Sequence, residues 1–105
     1  MDSQLACTEM AVVNEYSRKM KVCGHPVRLK LLCHIYRQGD PCVTNLWTSL
    51  GESQPVISQH LAILKENRVV DSVVQGNRRI YSICDDFIRE VIAKMVAEVG
   101  EQGPC

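Results

Sequence analysis

The sequence predicts a mainly α fold carrying a two-stranded β-wing, in the order α-α-α-α-β-β-α. Three observations predict it. Apolar residues return at helical spacing in a series of stretches before residue 67 and again after residue 86. Two runs rich in β-branched residues, "VVDSVVQ" and "RRIYSIC", stand on either side of Gly76 and Asn77. Proline and glycine fall between these stretches or in their first turns.

The first helix is expected over about residues 3–22, with Leu5, Val12, Val13, Tyr16 and Met20 on one side. "GHP" at residues 24–26 interrupts it, and Pro26 suits the first turn of a second helix, about 26–38. Leu31, Leu32, Ile35 and Tyr36 form the apolar side of that second helix. After the turn "QGDPC", Val43, Leu46, Trp47 and Leu50 mark a third helix at i, i+3, i+4 and i+7. "LGES" breaks the chain, Ser53 is placed to cap a fourth helix running to about Asn67, and Pro55 is tolerated in its first turn. Gly-Asn then joins the two strand-like runs as a tight hairpin. A last helix, about 86–99, presents Phe87, Ile88, Val91, Ile92, Met95 and Val99.

Two short helices with a brief turn between them, followed by a two-stranded ribbon, make a winged helix-turn-helix. The expected organisation is a single domain over 1–105. Within it, 42–66 form the helix-turn-helix, 69–84 the wing, and 100–105 a flexible tail. The outer helices, 1–22 and 86–99, carry more apolar surface than so small a core can cover. Their expected partner is a second copy of the chain, giving a homodimer through the terminal helices.

Composition narrows the function. The chain has 105 residues, 46% hydrophobic and 23% charged, which are ordinary globular proportions. The N-terminal stretch has no basic start followed by an apolar core, and no apolar run is long enough to span a bilayer, so a soluble, cytoplasmic protein without a membrane partner is expected. Net charge is zero but segregated. Arg18, Lys19, Lys21, Arg28, Lys30 and Arg37 lie between Tyr16 and Gly39 with no acid among them, whereas acids dominate from Asp85 onward. That balance argues against indiscriminate charge-driven binding and leaves a selective polyanionic partner open. Neither a glycine-rich phosphate loop nor a pair of catalytic acids is present, so an enzyme is not expected.

The fourth helix carries the clearest chemistry. Val56, Ile57, Leu61 and Leu64 give it an apolar back. Gln54, Ser58, Gln59 and His60 give it a front of neutral hydrogen-bonding groups. In a helix-turn-helix the second helix enters the major groove, where glutamine reads adenine through two hydrogen bonds and serine or histidine offers adaptable contacts. Lys65 near the end of the helix suits a phosphate contact, and Asn77, Arg78 and Arg79 at the wing tip suit the adjacent backbone or minor groove. Taken alone, such a face is also what an ordinary solvated helix shows. The agreement of helix, hairpin and basic tip favours double-stranded operator DNA, an imperfect palindrome matched to a twofold dimer. The competing reading is a winged-helix module for protein interaction.

"GHPVRLKLLCHI", "SQPVISQHLAILKENRVV" and "GNRRIYSI" together resemble the ArsR/SmtB family of bacterial repressors. The resemblance implies a dimeric winged-helix repressor that leaves its operator when an inducer binds or modifies the protein, with Ser53 to Lys65 and the wing gripping DNA. The metal-sensing branch carries E-L-C-V-C-D-L. Here "DPCVTNL" keeps the first thiol as Cys42 and replaces the second by Thr44. The zinc branch uses Asp and His on the last helix, which here has no His. The segment "HPVRLKLLCHI" is similar to that of the thiol- and persulfide-sensing branch, which places Cys33 as the first sensor thiol and Cys105 as the nearest candidate for the second.

The six cysteines, at 7, 23, 33, 42, 84 and 105, contain no C-x-x-C pair. Cys33 among Leu29, Leu32 and Tyr36 also suits a packed core cysteine. Cys42 at a helix start is placed for a lowered thiol pKa. Cys23 and Cys84 are expected to be structural. Persulfide or oxidant sensing is the favoured signal. The alternative is a thiophilic metal or arsenite as inducer, held by Cys42 with Cys7, and no resident cofactor is required.

Overall fold

Helix α1 runs from Cys7 to Cys23 and α2 from Pro26 to Gln38 in a computed structural model that describes residues 7–38 and 50–99. Helix α3 follows at Gln54–Glu66, strands β1 and β2 at Val70–Gln75 and Arg78–Ile83, and α4 at Asp86–Val99. Of the expected helix over residues 43–50 only Leu50 is described, and it is helical. Cys42 and the tail with Cys105 lie outside the described residues.

Each boundary has a local cause. At Gly24, a side chain's first carbon would stand 3.1 Å from the Met20 carbonyl oxygen, tighter than packed atoms normally allow. Pro26 then opens α2 with its missing N–H, and His25 caps that helix, its Nδ1 accepting the Val27 N–H at 3.1 Å. Asp85 caps α4 in the same way, its Oδ1 accepting the Ile88 N–H at 2.9 Å. Ser53 does occupy the cap position of α3, with extended φ −74° and ψ 154°, but its hydroxyl makes no capping bond, contrary to the expectation. Pro55 in the first turn has no N–H to offer it, which removes one of the two donors such a cap normally serves.

The end of α3 passes into the wing without slack. Val69 N–H reaches back to the Leu64 carbonyl at 2.9 Å and Arg68 N–H to Lys65 at 3.0 Å, the paired bonds of a Schellman stop. Arg68 takes the left-handed position at φ 63°, where glycine is the usual occupant. β1 and β2 then pair antiparallel from Val70↔Ile83 to Gln75↔Arg78, leaving only Gly76, at φ 64°, and Asn77 in the turn. The base of the ribbon is buried at Val69, Val70 and Ile83, while nearer the tip Ile80 is buried and its partner Val73 and the adjacent Val74 stand exposed.

Helix α2 is the central element, packed against α3, β2 and α4. Leu31, Leu32, Cys33, His34 and Ile35 are all buried in succession, so α2 is enclosed around most of its circumference. Tyr36, expected on the apolar side, is 40% exposed. Spacing alone groups it with Leu32, which is fully buried. Ile57, Leu61 and Leu64 from α3 and Ile88 and Ile92 from α4 complete the core.

Helix α1 is laid on this core rather than sunk in it. Tyr16 meets Phe87 of α4 with ring centroids 4.5 Å apart, and Lys19 pairs with Asp85 at 2.7 Å. The segregated charges of the sequence thus meet at one point. Burial would raise the Asp85 pKa, but the Lys19 bond, helped by backbone N–H groups, outweighs it and holds the carboxyl below its ordinary value. Met10, Val12, Val13, Tyr16 and Met20 remain exposed along α1. The apolar residues of α4 are more covered: Ile88 and Ile92 are buried, and Phe87, Met95 and Val96 pack against the core from its edge. No described helix is long and apolar enough to cross a membrane.

Candidate nucleic-acid interface

Helix α3 seats itself on the core through Ile57, Leu61 and Leu64, each at most 1% exposed. Val56 is half-buried beside them. That seat turns Gln54, Ser58 and Gln59 outward, and all of them are exposed, as is Ser53 just before the helix. The side presented to solvent therefore carries amide and hydroxyl groups, which donate and accept hydrogen bonds without a net charge.

At the end of α3, helix and wing converge on one hydroxyl. Lys65 Nζ donates to Ser72 Oγ at 2.9 Å, and an Arg79 guanidinium nitrogen donates to the same oxygen at 3.1 Å. Ser72 on β1 and Arg79 on β2 are diagonal neighbours on one face of the ribbon, since Ser72 pairs with Tyr81. Two cations thus sit close together with a neutral partner between them, an arrangement that a phosphate oxygen would stabilise. Asn77, Arg78 and Arg79 are exposed at the tip, as expected.

His60 is placed differently from the glutamines. It is half-buried and turned toward α2, with its Nδ1 accepting from Arg28 Nε at 3.1 Å and its ring 4.6 Å from that of His25, centroid to centroid. Burial, with help from His25 and Arg28, lowers its pKa and keeps the ring neutral. Arg28 and Ser72 are the site residues that sequence reasoning missed. Arg28 sits among apolar residues in "HPVRLKLL" and Ser72 in a run of strand formers, so neither type nor spacing marks them.

Of the candidate sensor thiols, Cys33 is buried at 6% exposure and Cys7 is exposed at the start of α1. Cys23 is also buried, and that burial pushes its thiol pKa up to about 11, which makes it a poor nucleophile. Burial likewise raises Cys84, whose thiol donates to the Arg68 carbonyl at 3.3 Å. Cys23 is enclosed in the core, whereas Cys84 lies exposed just after β2. Among the described residues, no three His, Cys, Asp or Glu side chains are grouped to hold a metal ion.

Comparison with known proteins agrees with this architecture. The family described as bacterial regulatory protein, arsR family, matches residues 25–72. An uncharacterized HTH-type transcriptional regulator from Methanocaldococcus jannaschii is 38% identical over 79 residues, which is 75% of this chain and 88% of that protein. The transcriptional repressor SmtB of Mycobacterium tuberculosis is 32% identical over 82 residues, 78% of this chain but 60% of SmtB. Among solved structures, a predicted DNA-binding transcriptional regulator from E. coli superposes with a TM-score of 0.83 at 26% identity, covering 90% of this chain and 99% of the other. By its helices and hairpin and by these relatives, the chain belongs to the ArsR/SmtB family of DNA-binding transcriptional repressors, which are not enzymes.

Proposed function

We propose that the protein binds a palindromic DNA operator as a homodimer and leaves it when its cysteine thiols are modified. The observation that carries the DNA half is the exposed neutral face of α3: Gln54, Ser58 and Gln59 point outward while Ile57, Leu61 and Leu64 hold the helix from behind. The glutamines and Ser58 read base edges, and Ser53, Lys65, Asn77, Arg78 and Arg79 meet phosphates. The uncovered apolar stripe of α1, from Met10 to Met20, supports pairing of two chains through the terminal helices.

In vitro selection with the reduced protein tests this reading. Enrichment of a palindrome with half-sites about one helical turn apart is expected. Absence of any enriched sequence would leave only the protein-interaction reading. On the selected site, Lys65→Gln and Arg79→Gln should each flatten the dependence of log Kd on log salt by about 0.9 per phosphate contact, so by about 1.8 in a dimer. An unchanged slope would place those side chains away from the phosphates.

For the signal, the resemblance around Cys33 supports persulfide or oxidant sensing, with Cys33 and Cys105 as the thiol pair. Burial that pushes the Cys23 thiol up to about 11 argues against it as the reactive thiolate, and the smaller upward push on Cys84 acts in the same direction. An inorganic polysulfide would be reduced to hydrogen sulfide as the two thiols are oxidised and bridged by sulfur. Mass spectrometry after polysulfide treatment should show a Cys33–Cys105 sulfur bridge together with loss of operator binding. Arsenite held in its place, and lost on Cys42→Ala, would instead establish the Cys42 and Cys7 arrangement.

A further inference from the structure

Base reading does not account for the way His60 is held. Arg28 donates through Nε to His60 Nδ1 at 3.1 Å and through a terminal nitrogen to the Val22 carbonyl at 3.0 Å. One guanidinium therefore ties the last turn of α1 to the middle of the reading helix. The Arg18 guanidinium makes a second tie, donating to Asn67 Oδ1 at 2.8 Å while the Asn67 amide caps the Ile63 carbonyl at 2.9 Å. The two ties differ in one chemical respect. The Asn67 acceptor does not titrate, whereas the His60 acceptor exists only on an uncharged ring, because arginine has donors alone and imidazolium has no lone pair to accept them.

We propose that Arg28 is a positioning residue for the reading helix, locking α3 to the end of α1 only while His60 is neutral, so that operator affinity falls on acidification. The inference rests on the DNA-binding reading above and assigns His60 a task other than base contact. The groups facing His60 are Arg28 from α2, His25 from the turn after α1, and Glu52 from the segment before α3. Arg28 and His25 oppose a charge on the ring and Glu52 favours one. Burial adds to the first pair, and the net effect is a lowered pKa. The seated state thus prefers the unprotonated ring. The lock is whole above the ordinary imidazole value of about 6.5 and is lost as pH falls from there through the lowered value. Arg18 and Asn67 keep their bond throughout, so acid frees α3 at one point and leaves it attached at another.

A histidine that touched phosphate would behave in the opposite way. DNA would favour its charged form, and affinity would rise in acid. The sign therefore separates the two roles of the same side chain.

The experiment is fluorescence anisotropy on the selected operator at about pH 7.5 and about pH 5.5, straddling the usual imidazole pKa. It compares wild type, His60→Asn and Arg28→Met, with circular dichroism to confirm that each is folded at both values. Asparagine keeps an acceptor near the Nδ1 position and does not titrate. Wild type is expected to lose about tenfold in affinity, the order of effect one shifted proton produces. That step should disappear in both variants. A step of equal size in His60→Asn, or a wild-type affinity that is constant or rises in acid, would overturn the proposal. Nitrogen NMR of the free protein separates its fate from that of the DNA reading. The Arg28 Nε–H signal and the His60 Nε2–H tautomer should be present at neutral pH and lost together in acid. Failure to select any operator would sink the DNA reading while leaving those signals in place.

Discussion

Leu61→Ala is expected to destabilise the protein by about 2–5 kcal/mol, the range for truncating a fully enclosed leucine. Leu61 is 1% exposed and belongs to the core cluster that unites α2, α3, the base of the wing and α4. The loss combines the transfer of a buried isobutyl group with the cavity left behind, because the close-packed side chains around it collapse only in part. Small domains are only marginally stable, about 5–15 kcal/mol, so this single change consumes a large fraction of the total. Urea denaturation should show a lower midpoint with an unchanged slope. A shift below about 1 kcal/mol would mean that α3 is not seated through this residue.

Gln59→Ala should act on the opposite side of the same helix and leave stability alone. Gln59 is exposed, so its loss creates no cavity. A glutamine bonded twice to a base edge is worth about 1–3 kcal/mol of discrimination. A symmetric dimer makes that contact twice. Operator affinity should therefore fall by about 2–6 kcal/mol, roughly 30-fold to 10⁴-fold, with affinity for unrelated DNA unchanged. Competition binding with operator and scrambled duplexes reads the ratio directly. Equal losses on both duplexes would show that Gln59 meets the backbone rather than a base.

Much of the architecture is legible in the sequence because its signals are local. Pro26 opens α2, the Gly-Asn pair turns the hairpin, and the apolar back of α3 lies where Ile57, Leu61 and Leu64 place it. What escapes local reading depends on neighbours brought together from far along the chain. Tyr36 has the spacing of a core residue, yet it stands exposed at the end of α2. Ser53 has the type and position of a capping serine, yet its hydroxyl is unused there. His60 matches Ser58 and Gln59 in polarity, and only the approach of Arg28, 32 positions earlier, sets it apart. Side chains that face solvent can be judged from type and period. Those that face another element need that element's coordinates.

The abrupt junction at Arg68 has a consequence for how repression ends. The end of α3 and the first pair of the wing are separated by Asn67, Arg68 and Val69 alone, and Lys65, Ser72 and Arg79 brace the junction from outside. Helix and ribbon are thus one stiff tool with two points. Under the release proposed above, the tool offers no slack at which to bend, and the leverage falls on the handle, where α1 meets α3. Release should then look like two intact reading heads whose separation no longer matches the pitch of the duplex. Each head alone would still fit its half-site, and a DNA with altered half-site spacing would recover binding to the modified protein.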